Sequence, residues 1–258
     1  MGEGDISAAP NENKGELKED FPIVGIGASA GGLEALRELF EHLPNDGMSC
    51  VVVQHLDPAH KSLLADILSK KTGMNVQEAK EGAILGINLA YIIPPDTLLT
   101  ISDGTLHLSP RKEIPGLFLP IDRFFRSLAR NFGERAIGIV LSGGGSDGAL
   151  GIQEIKECGG MVFAQDQKSA LFFSMPQSSI STGSVDFVLP PKEIAIQLGH
   201  LISQRYWAEP DKFKNNKLEN QSGAFREILS VLHKKIRDGF LSLQSPHALA
   251  KNITSDEI

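Results

Sequence analysis

Apolar runs of strand length alternate along this chain with segments of helical periodicity, and no other feature narrows its fold as far. Phe21 to Ile26 ends in a glycine turn and is followed by Leu33, Leu36, Phe40 and Leu43 at helical spacing. Cys50 to Val53 forms a second run, with Leu63, Leu64, Ile67 and Leu68 marking the helix after it. Ala90 to Ile93 is a further strand. Thr97 to Ile101 and Thr105 to Ser109 flank Asp103-Gly104, a dipeptide suited to the tight turn of a β-hairpin. Pro120 then opens a helix in which Ile121, Phe124, Phe125 and Leu128 share a face. Ala136 to Leu141, a helix from Ala149 to Cys158, strands at Met161 to Ala164 and Phe187 to Leu189, and a helix after Pro191 complete the alternation. This pattern predicts an α/β fold: a doubly wound, mainly parallel sheet with helices on both faces, Rossmann-like and three-layered, plus the β-hairpin. Such sheets bind ligands beyond the carboxyl ends of their strands, and the glycine turns fall there.

Charge and composition bound the rest. The chain has 258 residues and a formal net charge of -7. Residues 1–20 are acidic and without period, with Glu3, Asp5, Glu12, Glu16, Glu19 and Asp20 against Lys14 and Lys18, and read as a flexible tail. The pattern assigns 21–201 to the α/β domain and 202–223, with Lys212, Lys214 and Lys217, to a linker. Residues 224–258 form a helical stub in which Phe225, Ile228, Leu229, Leu232 and Ile236 share a face. An acidic balance argues against nucleic acid and against anionic membrane. Two cysteines, Cys50 and Cys158, both in apolar surroundings, suit free thiols in a reducing compartment. With no apolar stretch of membrane-spanning length and no basic, apolar leader, the expectation is a cytoplasmic protein without membrane insertion.

Three strand ends carry the residues of chemical interest. The first turn, Gly25-Ile26-Gly27-Ala28-Ser29-Ala30-Gly31-Gly32, supports three readings. As Gly25-x-Gly27-x-x-Ala30 it matches a dinucleotide fingerprint; as Gly27-x-Ser29-x-Gly31 it lifts a serine hydroxyl on a strand-to-helix turn; and Ser29 could simply cap the next helix. The second strand ends in Gln54-His55, and the run at 136–141 continues through Gly143-Gly144-Gly145-Ser146-Asp147. Either residue alone suits a structural role, and Asp147 suits the cap of the helix it precedes. Together, a serine, a histidine and an aspartate at one sheet edge form the set that acyl transfer requires. A neutral imidazole takes the serine proton, and a buried carboxylate fixes the tautomer of that imidazole. The order Ser, His, Asp differs from the Ser, Asp, His order of α/β-hydrolases.

These residues resemble the catalytic domain of the chemotaxis methylesterases of the CheB family. The likeness runs from Phe21 to about Leu201 through GASAGG at 27–32, VVQHL at 52–56, YIIPP at 91–95, LSGGGSDGA at 141–149 and FSMPQSSI at 173–180. It implies hydrolysis of glutamate γ-methyl esters on chemoreceptors, deamidation of selected glutamines, and no cofactor. By the resemblance, Ser29 is the nucleophile, His55 the base and Asp147 the orienting acid, and backbone amides at Ala30 and Gly144 are candidates for the oxyanion hole. The family commonly has threonine where Ala30 stands, methionine where Gly144 stands, and an arginine ahead of Pro120. These departures, and the Phe225 to Arg237 pattern, resemble the subgroup fused to a methyltransferase-like domain, which is thereby a possible partner. Family members commonly place a phosphorylatable receiver domain ahead of the esterase; only 20 polar residues precede Phe21, so control by phosphorylation of the chain's own residues is not expected.

Two other function classes stand beside this one. A regulatory module could keep the fold and bind receptor or kinase partners without catalysis. An oxidoreductase would need an acidic residue for a ribose at the end of the second strand, where Asp57 is followed at once by Pro58.

Overall fold

A computed structural model describes residues 21–45, 47–55, 63–111 and 119–203. The acidic tail, the 202–223 linker beyond Ser203, the 224–258 stub, Asp57 with Pro58, and Gly116 to Phe118 lie outside the described residues.

Seven parallel strands make one sheet. They are β1 (Ile23–Ala28), β2 (Ser49–Gln54), β3 (Asn75–Glu78), β4 (Leu89–Ile92), β7 (Ala136–Val140), β8 (Met161–Gln165) and β9 (Phe187–Leu189), in the order β3-β4-β2-β1-β7-β8-β9. Between β4 and β7 the chain makes the antiparallel hairpin β5 (Thr97–Ser102) and β6 (Thr105–Pro110), with Asp103-Gly104 at its turn. The chain winds outward from β1 through β2, then returns to set β7 on the other side of β1. The order reverses between β1 and β7, and a crevice opens at such a reversal.

Helices cover both faces. One face of β1, β2, β4 and β7, carrying Val24, Ile26, Val52, Ile92 and Ile139, packs on α1 (Gly32–His42), α2 (Leu64–Ser69) and α6 (Pro191–Ser203). The other, carrying Val51, Val53, Tyr91 and Val140, packs on α3 (Pro120–Phe132), α4 (Ala149–Glu157), α5 (Ser174–Ser181) and the hairpin. The doubly wound, three-layered expectation is met, hairpin included. Helix α1 shows how the local pattern works: Ala35, Leu36, Leu39 and Phe40 are buried, while Glu34 and Arg37 pair at 3.0 Å on the exposed side.

Helix α3 approaches the central strand closely because β1 presents no side chain beneath it at Gly25 and Gly27. A Cβ at Gly27 would lie 2.5 Å from Ile121 Cγ2, and one at Gly25 would lie 2.8 Å from Leu128 Cδ2. Ile121, Phe124, Phe125 and Leu128 are fully buried there, each contributing roughly 1.5–3 kcal/mol of transfer free energy. The glycines of the Gly25-x-Gly27 pattern therefore admit a helix face, which gives them a packing reason independent of any dinucleotide.

Two elements longer than a single turn escaped the periodicity. Strand β3, Asn75-Val76-Gln77-Glu78, is an edge strand paired only with β4 and mostly exposed, so it has no apolar run to betray it. Helix α5 is built from weak helix formers, with Pro176 in its first turn, and is held by burial of Met175, Pro176 and Ser179.

Candidate active site

The first turn is shaped by the two strands that flank β1. Ser29 follows Ala28 directly; its amide donates to Ser142 O at 3.0 Å, and the Gly32 amide returns to Ser29 O at 2.9 Å. Gly31, at φ 70°, takes the left-handed conformation that lets the chain turn from strand into α1. On one side the His55 amide donates to Ala28 O, and on the other the Leu141 amide donates to Gly27 O. The backbones before Ser29, His55 and Ser142 are thus held in one plane, at the reversal of strand order.

Ser29, His55 and Asp147 meet there in one hydrogen-bonded line. Ser29 Oγ lies 3.0 Å from His55 Nδ1, and His55 Nε2 lies 2.8 Å from Asp147 Oδ2. The Asp147 side chain is only 3% exposed, and a carboxylate oxygen that accepts from Nε2–H leaves Nδ1 as the hydrogen-bond acceptor facing the Ser29 hydroxyl. Capping explains neither end of the line. Helix α1 starts after Gly31 and α4 after Gly148, and neither has a side-chain cap.

What Asp147 does hold is a different helix. Its Oδ2 accepts the Ile121 amide at 3.1 Å and its Oδ1 accepts the Asp122 amide at 2.8 Å, both in the first turn of α3. The positive end of that helix and two amide donors satisfy the carboxylate oxygens in a buried place. Pro120 at the start of α3 was legible; that its neighbours receive Asp147 was not.

Three further residues brace the turn. Ser142, fully buried, donates from Oγ to Ala30 O at 2.9 Å and accepts the Phe172 amide at 3.0 Å. Gln165 Oε1 accepts the Ser142 amide at 2.8 Å. A Cβ at Gly143 would stand 2.7 Å from Met175 Cε and 3.0 Å from Ser29 Cβ, so glycine lets the turn pass the serine without displacing the Met175 tip. Sequence reading singled out none of these three, although Ser142 and Gly143 lie within the 141–149 motif.

Around the line the surface is open. Ala30 and Gly144 are exposed, and their amides donate to no acceptor among the described residues. A cleft of about 300 Å³ beside His55 is lined by Gln54, Ile93, Pro94, Asp96, Thr97, Arg111 and Pro120. Among the described residues no group of three or more His, Cys, Asp or Glu side chains is placed to hold a metal, and no helix is long and apolar enough to cross a membrane.

A parallel α/β sheet with a serine, a histidine and a buried aspartate joined at its carboxyl edge has the arrangement of a serine hydrolase. The family model for CheB methylesterase matches residues 24–198, and the chain belongs to that family. It is 35% identical to a protein-glutamate methylesterase/protein-glutamine glutaminase of Sulfurimonas denitrificans, over 71% of this chain and 53% of that protein. It is 36% identical to the protein of the same name from Pyrococcus horikoshii, over 66% of this chain and 48% of the other. The crystal structure of the Thermotoga maritima CheB methylesterase catalytic domain superposes with a TM-score of 0.64 at 31% identity, covering 71% of this chain and all of that domain. The chain spans about half the length of the curated relatives it matches.

Proposed function

We propose that this chain hydrolyses γ-methyl esters of glutamate on a chemoreceptor or related signalling protein, with deamidation of glutamine as a second activity. The observation that carries the reading is the unbroken line from Ser29 Oγ through His55 to Asp147. Ser29 Oγ attacks the ester carbonyl while His55 Nδ1 takes its proton, and Asp147 stabilises the imidazolium through Nε2–H. The unpaired amides of Ala30 and Gly144 suit the oxygen that becomes negative, because backbone donors need no side chain and no reorganisation. His55 then gives its proton to the departing methoxide, and methanol leaves. Water, deprotonated by the same imidazole, releases glutamate and restores Ser29. The relatives' shared name supports both activities, since an ester and a primary amide pass through the same acyl-enzyme.

The cleft beside His55 has room for an extended methyl-glutamate side chain. A methyltransferase-like domain or partner, suggested by the Phe225 to Arg237 pattern, would supply the opposing reaction, and a cytoplasmic location suits both. Methanol release from a methylated chemoreceptor fragment is the test. Activity in the intact chain and its loss in Ser29→Ala supports the reading; a folded intact chain releasing neither methanol nor, from glutamine sites, ammonia would leave the non-catalytic module as the better account.

A further inference from the structure

Asp122 is a buried carboxylate, 5% exposed, that the reaction does not use. It stands in the first turn of α3, where its amide donates to Asp147 Oδ1 at 2.8 Å. Its own Oδ1 accepts the Gly151 amide at 2.7 Å, in the first turn of α4. Asp147 immediately precedes Gly148, the residue before the first turn of α4. Each of two neighbouring helices therefore sends an aspartate to the amino end of the other: Asp147 to α3, Asp122 to α4. The exchange is tight, because a Cβ at Gly151 would stand 2.5 Å from Phe125 Cβ and 3.0 Å from the Asp122 carbonyl oxygen.

This geometry has a consequence for His55. Of the two Asp147 oxygens, Oδ1 is held by the Asp122 amide, while Oδ2 is shared between the Ile121 amide and His55 Nε2. The direction in which Oδ2 points is thus set by where the first turn of α3 lies relative to the first turn of α4. We propose that Asp122 is a positioning residue for the triad: by binding the Gly151 amide it locks the register of α3 against α4, and so aims Asp147 Oδ2 at His55. The claim rests on the serine-hydrolase reading and adds to it a residue that touches neither substrate nor the reacting atoms.

The chemistry separates positioning from charge. Asparagine retains an acceptor oxygen for the Gly151 amide without the charge, whereas alanine removes the acceptor and leaves a buried amide unpaired. The test compares Asp122→Ala and Asp122→Asn in the full chain by kcat and KM for methanol release and by the proton NMR signal of the hydrogen shared between His55 Nε2 and Asp147. The expected result is a kcat at least tenfold lower in Asp122→Ala with KM within twofold, a displaced or lost His55–Asp147 signal, and recovery of both to within threefold and to the original position in Asp122→Asn. A folded Asp122→Ala protein with unchanged kcat and signal overturns the proposal, as does an Asp122→Asn protein as impaired as the alanine variant. Should Asp122→Ala not fold, Asp122→Asn decides alone: an unmoved signal supports the proposal and a lost one overturns it. The NMR comparison needs no turnover, so an intact chain that shows the signal but releases no methanol would count against the hydrolase reading and leave the positioning claim to be decided by the signal.

Discussion

His55 Nε2 and Asp147 Oδ2 stand 2.8 Å apart although 92 positions of chain separate them, and Asp147 is the most deeply buried member of the line. Replacing Asp147 by asparagine keeps its shape but turns a donor toward Nε2, so the imidazole presents the wrong tautomer to Ser29. Asp147→Asn is expected to lower kcat on the order of 10⁴-fold, and Ser29→Ala or His55→Ala by at least as much. Because members of a catalytic triad act as a unit, the Ser29→Ala/His55→Ala double variant should fall little below the worse single one. Steady-state methanol release by folded proteins is the measurement, and additive losses would count against the unit.

Two glycines of the same edge should respond oppositely to alanine. At Gly27 the new methyl would meet Ile121 Cγ2 at 2.5 Å and push α3 off β1, whereas nothing lies within 4 Å of a Cβ at Gly144. Gly27→Ala should cost about 1–3 kcal/mol in urea unfolding, as overpacked cores do. Gly144→Ala should stay within about 0.5 kcal/mol of the original chain. Equal stabilities for the two variants would contradict the close approach of α3.

The pH dependence of stability should carry the mark of Asp122. Burial pushes its carboxyl above the usual aspartate range, and the neighbouring Asp147 charge adds to this, against the Gly151 amide and the Arg126 cation, which pull it down. A carboxyl raised in the folded state stabilises fully below about pH 4, where the unfolded chain also holds the proton, and loses that contribution as pH rises through the folded value. Asparagine has no proton to lose. The unfolding free energy of Asp122→Asn relative to the original chain should therefore increase between about pH 4 and pH 7, as read by denaturant titration at each pH. A difference that shrinks over that range would reverse the sign of the argument.

Thiol chemistry should divide the two cysteines. Cys50 is fully buried in β2 and burial pushes its thiol up to about 12, whereas Cys158 is half-buried at the end of α4. Iodoacetamide at about pH 8 should modify Cys158 in the native protein and reach Cys50 only after unfolding, because the thiolate is the reactive form. Mass spectrometry of tryptic peptides distinguishes the two sites. Native labelling of Cys50 ahead of Cys158 would contradict the burial of β2.

Much of this molecule was legible because the signals are local. The runs ending at Ile26, Val53 and Leu141 had to be buried strands, Pro120 had to open a helix, and Asp103-Gly104 had to turn a hairpin; each follows from a few consecutive residues. The positions of Ser29, His55 and Asp147 at strand ends followed as well, since a parallel sheet puts all its carboxyl ends on one edge. Strand β3 was not legible, as an exposed edge strand lacks the apolar period that reveals a buried one.

The sequence by itself determined the layers, the hairpin and the edge at which the three polar residues would gather. Only the tertiary structure decided that β1 lies between β2 and β7, that α3 rests on Gly25 and Gly27, and that Asp147 serves the start of α3 instead of the helix it precedes. The physical reason is one of range: periodicity and turn chemistry act between residues a few places apart, whereas strand order and helix register are settled by which distant surfaces pack without voids, and the partners of a buried carboxylate are whatever that packing brings within 3 Å or so.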